Sequence, residues 1–568
     1  AAFDYYPSFY KAFSIDPVIY SAAQIGNEIV YNQVGGDAAP SLSKSASYNR
    51  STVLEAHLNY ARTFGNHDIA ALVLYSQQSG YGDILSGARY NFMTDEMDVL
   101  SAGDSEEQYS SGGYSTSRRR SIVGRISYNY MYKYLLEFSY RYDGSDLFAE
   151  GKRYGFFPSF SAGWNLKQEN FLQNVDFINK LKLRGSWGQL GNDNISGYQY
   201  YTFYGMNYVG VGRGTPTTLQ NNIILSRMRN LGVTWETSTK TDIGFELNFL
   251  DNFFFEFDYF WESRDDILGQ RQATIPTTVG TGGTLPFENF MKVDNKGYEI
   301  TFEYRKAFAN KLILQSRFNI THMENTIIDI GETDDVPVRI KQEGRPIGAR
   351  FGYLAVGIFA SEEEIEAAYG TNHPNVQPGD IHYKDLNGDK VINGEDQTYF
   401  GTQNVPDYIL SWQNVLSYKN FDFNMFWLAA IGGEMDYTQL VTPFTGGAGN
   451  VLKDYTDYWT PENTDAKYPR LSVSPTWNFP SDFYLYDASY LRLKNVGLSY
   501  SFKDLLPSET FVKDLNLSFN VTNLLTFSKF TEADPENSNW TPSSGGISYS
   551  INFYPQQIIY NFGLMIKF

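Results

Sequence analysis

The chain has 568 residues, a formal net charge of −19, five histidines and no cysteine. That rules out disulfides, thiolate nucleophiles and cysteine-based zinc sites, and it argues against nucleic acid or an anionic lipid surface as the main partner, because both ask for a basic footprint. Tyr (44), Phe (42) and Gly (49) are abundant against 19% charged residues, a balance that favours strands and turns. No run of 18 apolar residues exists, so a helical membrane span is excluded whereas a membrane β-barrel is not.

The N-terminal stretch "AAFDYYPSFY" lacks a basic region followed by an apolar one, so no signal peptide is read; the chain is expected either to have lost one or to begin partway through a longer protein. Residues 1–50 are expected to form an extracellular loop. From 51 onward period-two alternation dominates. A tight turn at Phe64–His67 leads to a long loop over Gly80–Arg118. The triplet Arg118, Arg119 and Arg120 marks re-entry into a strand, readable as a contact to lipopolysaccharide phosphates or as a solvated rim. After the turn Met131–Lys133, one face carries Tyr134, Leu136, Phe138, Tyr140 and Tyr142, the other Glu137, Ser139 and Arg141. A modest connection at 166–180 and a long loop at 191–240 follow.

Next, Ile243, Phe245, Leu247 and Phe249 oppose Asp242, Glu246 and Asn248. Across the turn Leu250–Asn252, Phe253, Phe255, Phe257, Tyr259 and Trp261 oppose Glu256, Asp258 and Glu262. Beyond a long loop at 264–294, Tyr298, Ile300, Phe302 and Tyr304 oppose Glu299, Thr301, Glu303 and Arg305. None of these apolar faces carries a charge. Since a Lys or Arg facing lipid costs roughly 2–4 kcal/mol at the bilayer midplane, the pattern fits lipid on one side and water on the other. Glu256, Asp258, Glu262, Glu299 and Glu303 also admit a reading as paired acids for glycoside hydrolysis, but their strict alternation with aromatics favours a hydrated wall.

After the turn Phe308–Lys311 comes an extracellular loop over 323–406. In it Ser361 and Glu364 form a capping box for a short helix ending at Gly370, and "DLNGDKVINGED" (385–396) resembles a calcium loop residue by residue. Asp385, Asn387 and Asp389 supply side-chain oxygens, Val391 a carbonyl, Asn393 a direct or water-mediated contact and Asp396 the last carboxylate. The expected ion is Ca2+ in a structural role, with Mg2+ as the alternative. Lys390 stands where the sharp turn prefers Gly, and Asp396 replaces the usual Glu; Asn387-Gly388 also reads as a plain turn. No nucleophile or His–carboxylate arrangement accompanies the loop, so no enzyme is expected. The turn Tyr418–Asn420 precedes a long loop at 435–486, a modest connection at 503–513 a strand with Leu515, Leu517, Phe519 and Val521 on one face, and a long loop at 525–555 the last strand. That strand alternates Ile558, Tyr560, Phe562, Leu564 and Ile566 and ends on Phe568. The aromatic-rich stretches Tyr90–Met97, Tyr198–Gly210 and Tyr455–Asn463 are candidates for stacking on cargo or on other loops, and no substrate residue is assigned.

Short turns on one rim and long loops on the other are the asymmetry of outer-membrane barrels. The hairpins count to about 15 strands, an odd number that implies a larger barrel. Seven stretches in order, "FFPSFSAGWNLKQENFL" (156–172), "LKLRGSWGQLGND" (181–193), "PIGARFGYLAVGIFASEEEI" (346–365), "PGDIHYKDLNGDKVINGEDQTYFG" (378–401), "YWTPENTDAKYPRL" (458–471), "YLRLKNVGLSYSF" (490–502) and "NVTNLLTFSKFTEADPE" (520–536), resemble the SusC/RagA family of TonB-dependent outer-membrane transporters of Bacteroidetes. The resemblance implies an all-β fold, a transmembrane antiparallel barrel of about 22 strands to which 51–568 contribute the C-terminal part. It further implies a plug domain and a TonB box absent from this chain, a SusD-like lipoprotein lid, coupling to TonB, surroundings of lipid bilayer and lipopolysaccharide, and import of oligosaccharides or peptides. A passive porin or structural barrel without energy coupling is the alternative, and a soluble calcium-dependent adhesin of β-sandwiches a third.

Overall fold

The computed structural model describes the chain except for residues 16–17, 26–27, 36–39, 95, 214–217, 272–274, 276, 281–282, 372, 374, 402–404, 437–452, 473–478, 508–509, 532, 537–540, 544–545 and 549–554. Sixteen strands form one antiparallel sheet in which each pairs with its neighbours in chain order. They are β1 (Ala2–Ser14), β2 (Ser41–Phe64), β3 (His67–Arg89), β4 (Gln108–Tyr130), β5 (Tyr134–Ser145), β6 (Tyr154–Asn165), β7 (Ile178–Asn192) and β8 (Glu236–Phe249), followed by β9 (Phe253–Gly269), β10 (Glu288–Ala307), β11 (Leu312–Asp329), β12 (Tyr408–Tyr418), β13 (Phe421–Ile431), β14 (Tyr490–Ser501), β15 (Asp514–Ser528) and β16 (Ile559–Lys567). The tight turns fall where the alternation breaks. At two of them both central residues are left-handed, Met131 and Tyr132 (φ 53° and 55°) and Leu250 and Asp251 (φ 52° and 61°), the hand that matches strand twist in a two-residue hairpin.

The expectation of an extracellular loop over residues 1–50 needs correction. Residues 2–14 are strand β1, in register with β2 from Ala2 opposite Val53 to Ser14 opposite Ser41, and a smaller hairpin of Ile19–Ile25 with Glu28–Gly35 joins the two. The sheet therefore has one strand more than the 15 expected. The long loops are also shorter than read, since strands run on into them: β3 extends to Arg89 and β4 starts at Gln108, placing the arginine triplet inside a strand.

By contacts the chain divides into two compact units, the first of 1–128, 137–159 and 190–235, the second of 129–136, 160–189 and 236–568. In the first, Leu42, Phe148 and Phe157 are buried, and Trp235 packs on both phenylalanines with ring centres 5.4 Å away. In the second, the main apolar core lies among the loops. Tyr353, Ile381, Tyr383, Met435, Tyr468, Tyr484, Ala488 and Phe530 form one cluster, while Phe359, Ile365, Tyr369 and Val376 form another around the helix Glu362–Tyr369. The helix ends at Gly370 (φ 77°) as read, but its start differs: Ser361 makes no cap bond, and the Glu364 carboxylate accepts from the backbone N–H of Ala360 at 2.8 Å.

The apolar strand faces are left uncovered. Leu58 is 73% exposed, Leu136 52% and Trp412 43%, while Asp258 on the opposite face is 8% exposed. A soluble β-sandwich does the reverse, burying its aromatics between sheets. The exposure is what a wall standing in hydrocarbon requires.

Candidate functional site

The polar face of β7 to β11 is a lattice of opposed charges. Register places Glu246 directly across from Glu256, and Asp258 across from Glu299. Like charges facing each other destabilise a ladder. Arg184 of β7 relieves the first pair: its guanidinium donates to Glu246 (2.8 Å), Glu256 (2.6 Å) and Asp258 (3.0 Å). Lys180 and Lys182, on the same strand face by alternation, reach Glu246 at 2.5 and 3.6 Å. Gly244 stands opposite Asp258, and a Cβ there would lie 2.0 Å from the Asp258 carboxylate, so a side chain at 244 would push that carboxylate off the arginine. Further along, Glu303 faces Arg317 and accepts from its Nε at 2.8 Å, while Glu262 accepts from the Ser238 hydroxyl at 2.5 Å.

The five carboxylates read from the sequence thus share one wall, as expected. Glu246 and Glu303 are each tied to a guanidinium on the next strand, and Glu256 and Asp258 to Arg184 two strands away, across β8. Acids engaged in this way by fixed cations are not the free acid–base pair that glycoside hydrolysis needs. The basic partners escaped the reading, although "KLKLR" repeats a positive charge at every second residue from Lys180 to Arg184, the signature of a strand face complementary to an acidic one.

A recess of about 1180 Å3 in the second unit is lined by Phe302, Phe318, Trp412, Trp427 and Phe527 among others. These lie on the lipid-facing side, in register from strand to strand (Phe302 opposite Phe318, Phe318 opposite Trp412, Trp412 opposite Trp427), so the recess is a furrow in the outer wall, not a cargo site.

The loops of the second unit pack into an ordered module. Asp380 is buried and pairs with Arg470 at 2.7 Å; burial pushes its carboxyl above the usual range, and Arg470 draws it back. The Tyr369 hydroxyl donates to the Tyr383 carbonyl at 2.6 Å, and burial raises both phenols well above their ordinary value. His382 stacks on Phe359 with ring centres 4.3 Å apart, and burial holds its imidazole below the ordinary value while Glu364 pulls the other way.

The calcium-like loop belongs to this module. Asp385 accepts from the backbone N–H groups of Gly388 (2.6 Å) and Lys390 (2.7 Å), Asn387 from Asp389 (2.9 Å), Asp389 from Val391 (2.8 Å), and Asn393 from Glu395 (2.7 Å). Asp396 is fully buried and its two oxygens accept from Leu386 and Asn393, both at 2.9 Å. The carboxyls of Asp385 and Asp396 also meet directly; desolvation opposes charge on Asp385, but the N–H groups of Lys390 and Gly388 outweigh it and hold that carboxyl below its usual range. Lys390 takes the left-handed turn (φ 64°) where Gly is usual. Asp389 is occupied with its own backbone, and among the described residues no three His, Cys, Asp or Glu side chains gather about one point. Of the aromatic loop stretches, Asp95, the side chains of 207–210 and that of Tyr455 lie outside the described residues.

The family described as TonB dependent receptor-like, beta-barrel matches residues 3–524. TonB-dependent receptor P3 of Formosa agariphila is 30% identical over 555 residues, covering 94% of this chain and 54% of that protein. TonB-dependent receptor SusC of Bacteroides thetaiotaomicron is 26% identical over 463 residues, covering 79% and 43%. Among solved structures, the RagAB peptide transporter superimposes with a TM-score of 0.78 at 19% identity, covering 99% of this chain and 59% of that one, a likeness of fold. The chain spans about half the length of the curated relatives it matches.

Proposed function

The chain belongs to the TonB dependent receptor-like β-barrel family, and from that premise we propose that it supplies the conducting wall of an energised importer that takes up oligosaccharides or peptides beneath a SusD-like lipoprotein lid. It is an outer-membrane protein of the SusC/RagA type, and the family comprises receptors and transporters, not enzymes. The observation that carries the reading is the two-faced sheet: exposed aromatics on one side, and on the other an ion-paired surface that stays hydrated without binding any one cargo tightly. Of the two cargo classes, peptide has support in the RagAB likeness, which is one of fold alone.

In the same proposal the 385–396 loop holds Ca2+ through Asp385, Asn387, Asp389, the Val391 carbonyl, Asn393 and Asp396. All six offer hard oxygens, and a side-chain hydrogen bond between Asp385 and the fully buried Asp396 brings the first and last carboxyls of the loop together, as a shared cation would require. The ion would supply charge compensation and stiffness to the loop module and take no part in chemistry.

The test is uptake by cells carrying the full-length protein and its neighbouring lipoprotein, measured with labelled peptides and labelled oligosaccharides before and after a protonophore. Accumulation of one class that stops when the proton gradient collapses is expected. Uptake that continues unchanged would make the protein a passive porin.

A further inference from the structure

The first unit holds a polar cavity of about 660 Å3, lined by Arg118, Arg120, Arg153, Tyr154, Tyr198 and Tyr200 among others. Its position on the wall follows from contacts. A Cβ on Gly124 would lie 2.3 Å from the Tyr140 ring, so Gly124 shares the face of Phe138, Tyr140 and Tyr142, the lipid-facing one. Alternation along β4 then puts Thr116, Arg118, Arg120, Ile122 and Ile126 on that same face. Arg119 also borders the cavity, but its guanidinium is engaged in a two-bond pair with Asp193 at 2.8 and 2.9 Å.

The neighbours agree. Tyr154 stacks on Tyr142 with ring centres 5.1 Å apart, and the Tyr198 hydroxyl meets Thr116 Oγ1 at 2.8 Å, so the segment after β7 folds down over the outward side. Arg118 is anchored by its backbone, its N–H donating to Asp146 (3.0 Å) and its carbonyl accepting from the Asp146 N–H (3.1 Å), and Tyr200 donates to the Asp146 carbonyl at 3.3 Å. The Arg118 and Arg120 side chains are exposed and have no ion-pair partner among the described residues. Three guanidinia therefore face one carboxylate, in a protein whose overall charge is strongly negative.

Arg120 is two residues from Ile122 along β4, about 7 Å at strand rise, so these cations stand at the edge of the apolar band, at headgroup height. Cargo in the bore has no access to this side of the wall. We propose that the cavity binds the phosphate of an outer-leaflet glycolipid of the lipid A type, with Arg118 and Arg120 as the phosphate ligands, Tyr142 and Tyr154 against the sugar and Ile122 and Ile126 along the acyl chains. The inference rests on the outer-membrane placement of the apolar face and is independent of which cargo is carried.

The experiment is native mass spectrometry of the full-length protein in detergent, titrated with phosphorylated lipid A, dephosphorylated lipid A and inorganic phosphate. Phosphorylated lipid A should bind, Arg118→Gln/Arg120→Gln should weaken that binding about tenfold or more, and Arg125→Gln, on the opposite face of β4, should leave it unchanged. Dephosphorylated lipid A should bind the parent no better than the phosphorylated lipid binds the double variant. Equal binding by parent and double variant, indifference to the phosphate, or inorganic phosphate binding alone as tightly as the lipid would each overturn the proposal. Cargo uptake by the double variant separates the two readings: it should match the parent, because lipid binding can fail while transport stands.

Discussion

Arg184 is the residue on which the polar face turns. It holds three carboxylates from two strands, and the partner groups are 12%, 27% and 11% exposed, so removing the cation leaves charges that water reaches only in part. Breaking a fully buried pair costs about 3–5 kcal/mol; with partial exposure, Arg184→Met is expected to cost about 2 kcal/mol in urea unfolding from vesicles. Adding Glu256→Gln should recover part of the loss, since one stranded charge is gone, and a double variant no better than the single one would show that the contacts are incidental. His382 makes the second prediction at this scale. Its folded pKa lies below the ordinary 6.5, so its contribution to stability is complete above that pH and is lost as pH falls through the depressed value. Amide protection across 355–383, corrected for intrinsic exchange, should be flat above pH 6.5 and drop on acidification, and His382→Phe should remove the drop. None of this geometry was legible beforehand, because Arg184 lies 62–74 residues from its partners and strand alternation says which face a residue takes, not which residue on the next strand it meets.

At the level of elements the sequence was most legible where one face was purely apolar. From β2 to β16 the tight turns fall where the turn residues put them, while strand ends run up to about ten residues into the expected loops, as at the start of β2, the end of β3 and the start of β4. β1 was missed for a physical reason: "AFDYYPSFYKAFS" has aromatics on both faces and a proline, and it pairs with the Ser-rich start of β2, so neither strand shows a clean contrast. The calcium-like loop was legible as a spacing of oxygens, whereas the engagement of Asp389 with its own backbone was not. If the loop binds its ion, protection of the 385–396 amides in the full-length protein should rise on adding Ca2+ and fall on chelation, by about 2.7 kcal/mol at a hundredfold excess over Kd. Asp385→Asn/Asp389→Asn should abolish the response. Protection indifferent to Ca2+ in the parent would leave the segment as a turn held by its own hydrogen bonds.

For the whole molecule, one sheet does two jobs with a two-residue period. Its apolar residues stay exposed and its charged residues are neutralised in place, so the wall is stable in hydrocarbon on one side and wet on the other without a conventional core. In the second unit the apolar core lies instead in the packed loops. The absence of cysteine makes the central claim directly measurable, because single spin labels can be placed along β9 without background reaction. Phe255→Cys, Phe257→Cys and Tyr259→Cys should be accessible to oxygen and shielded from a water-soluble nickel reagent in vesicles, while Glu256→Cys, Asp258→Cys and Glu262→Cys should show the opposite, alternating residue by residue. Labels with no alternation, or with the aromatic positions facing the aqueous reagent, would contradict the account.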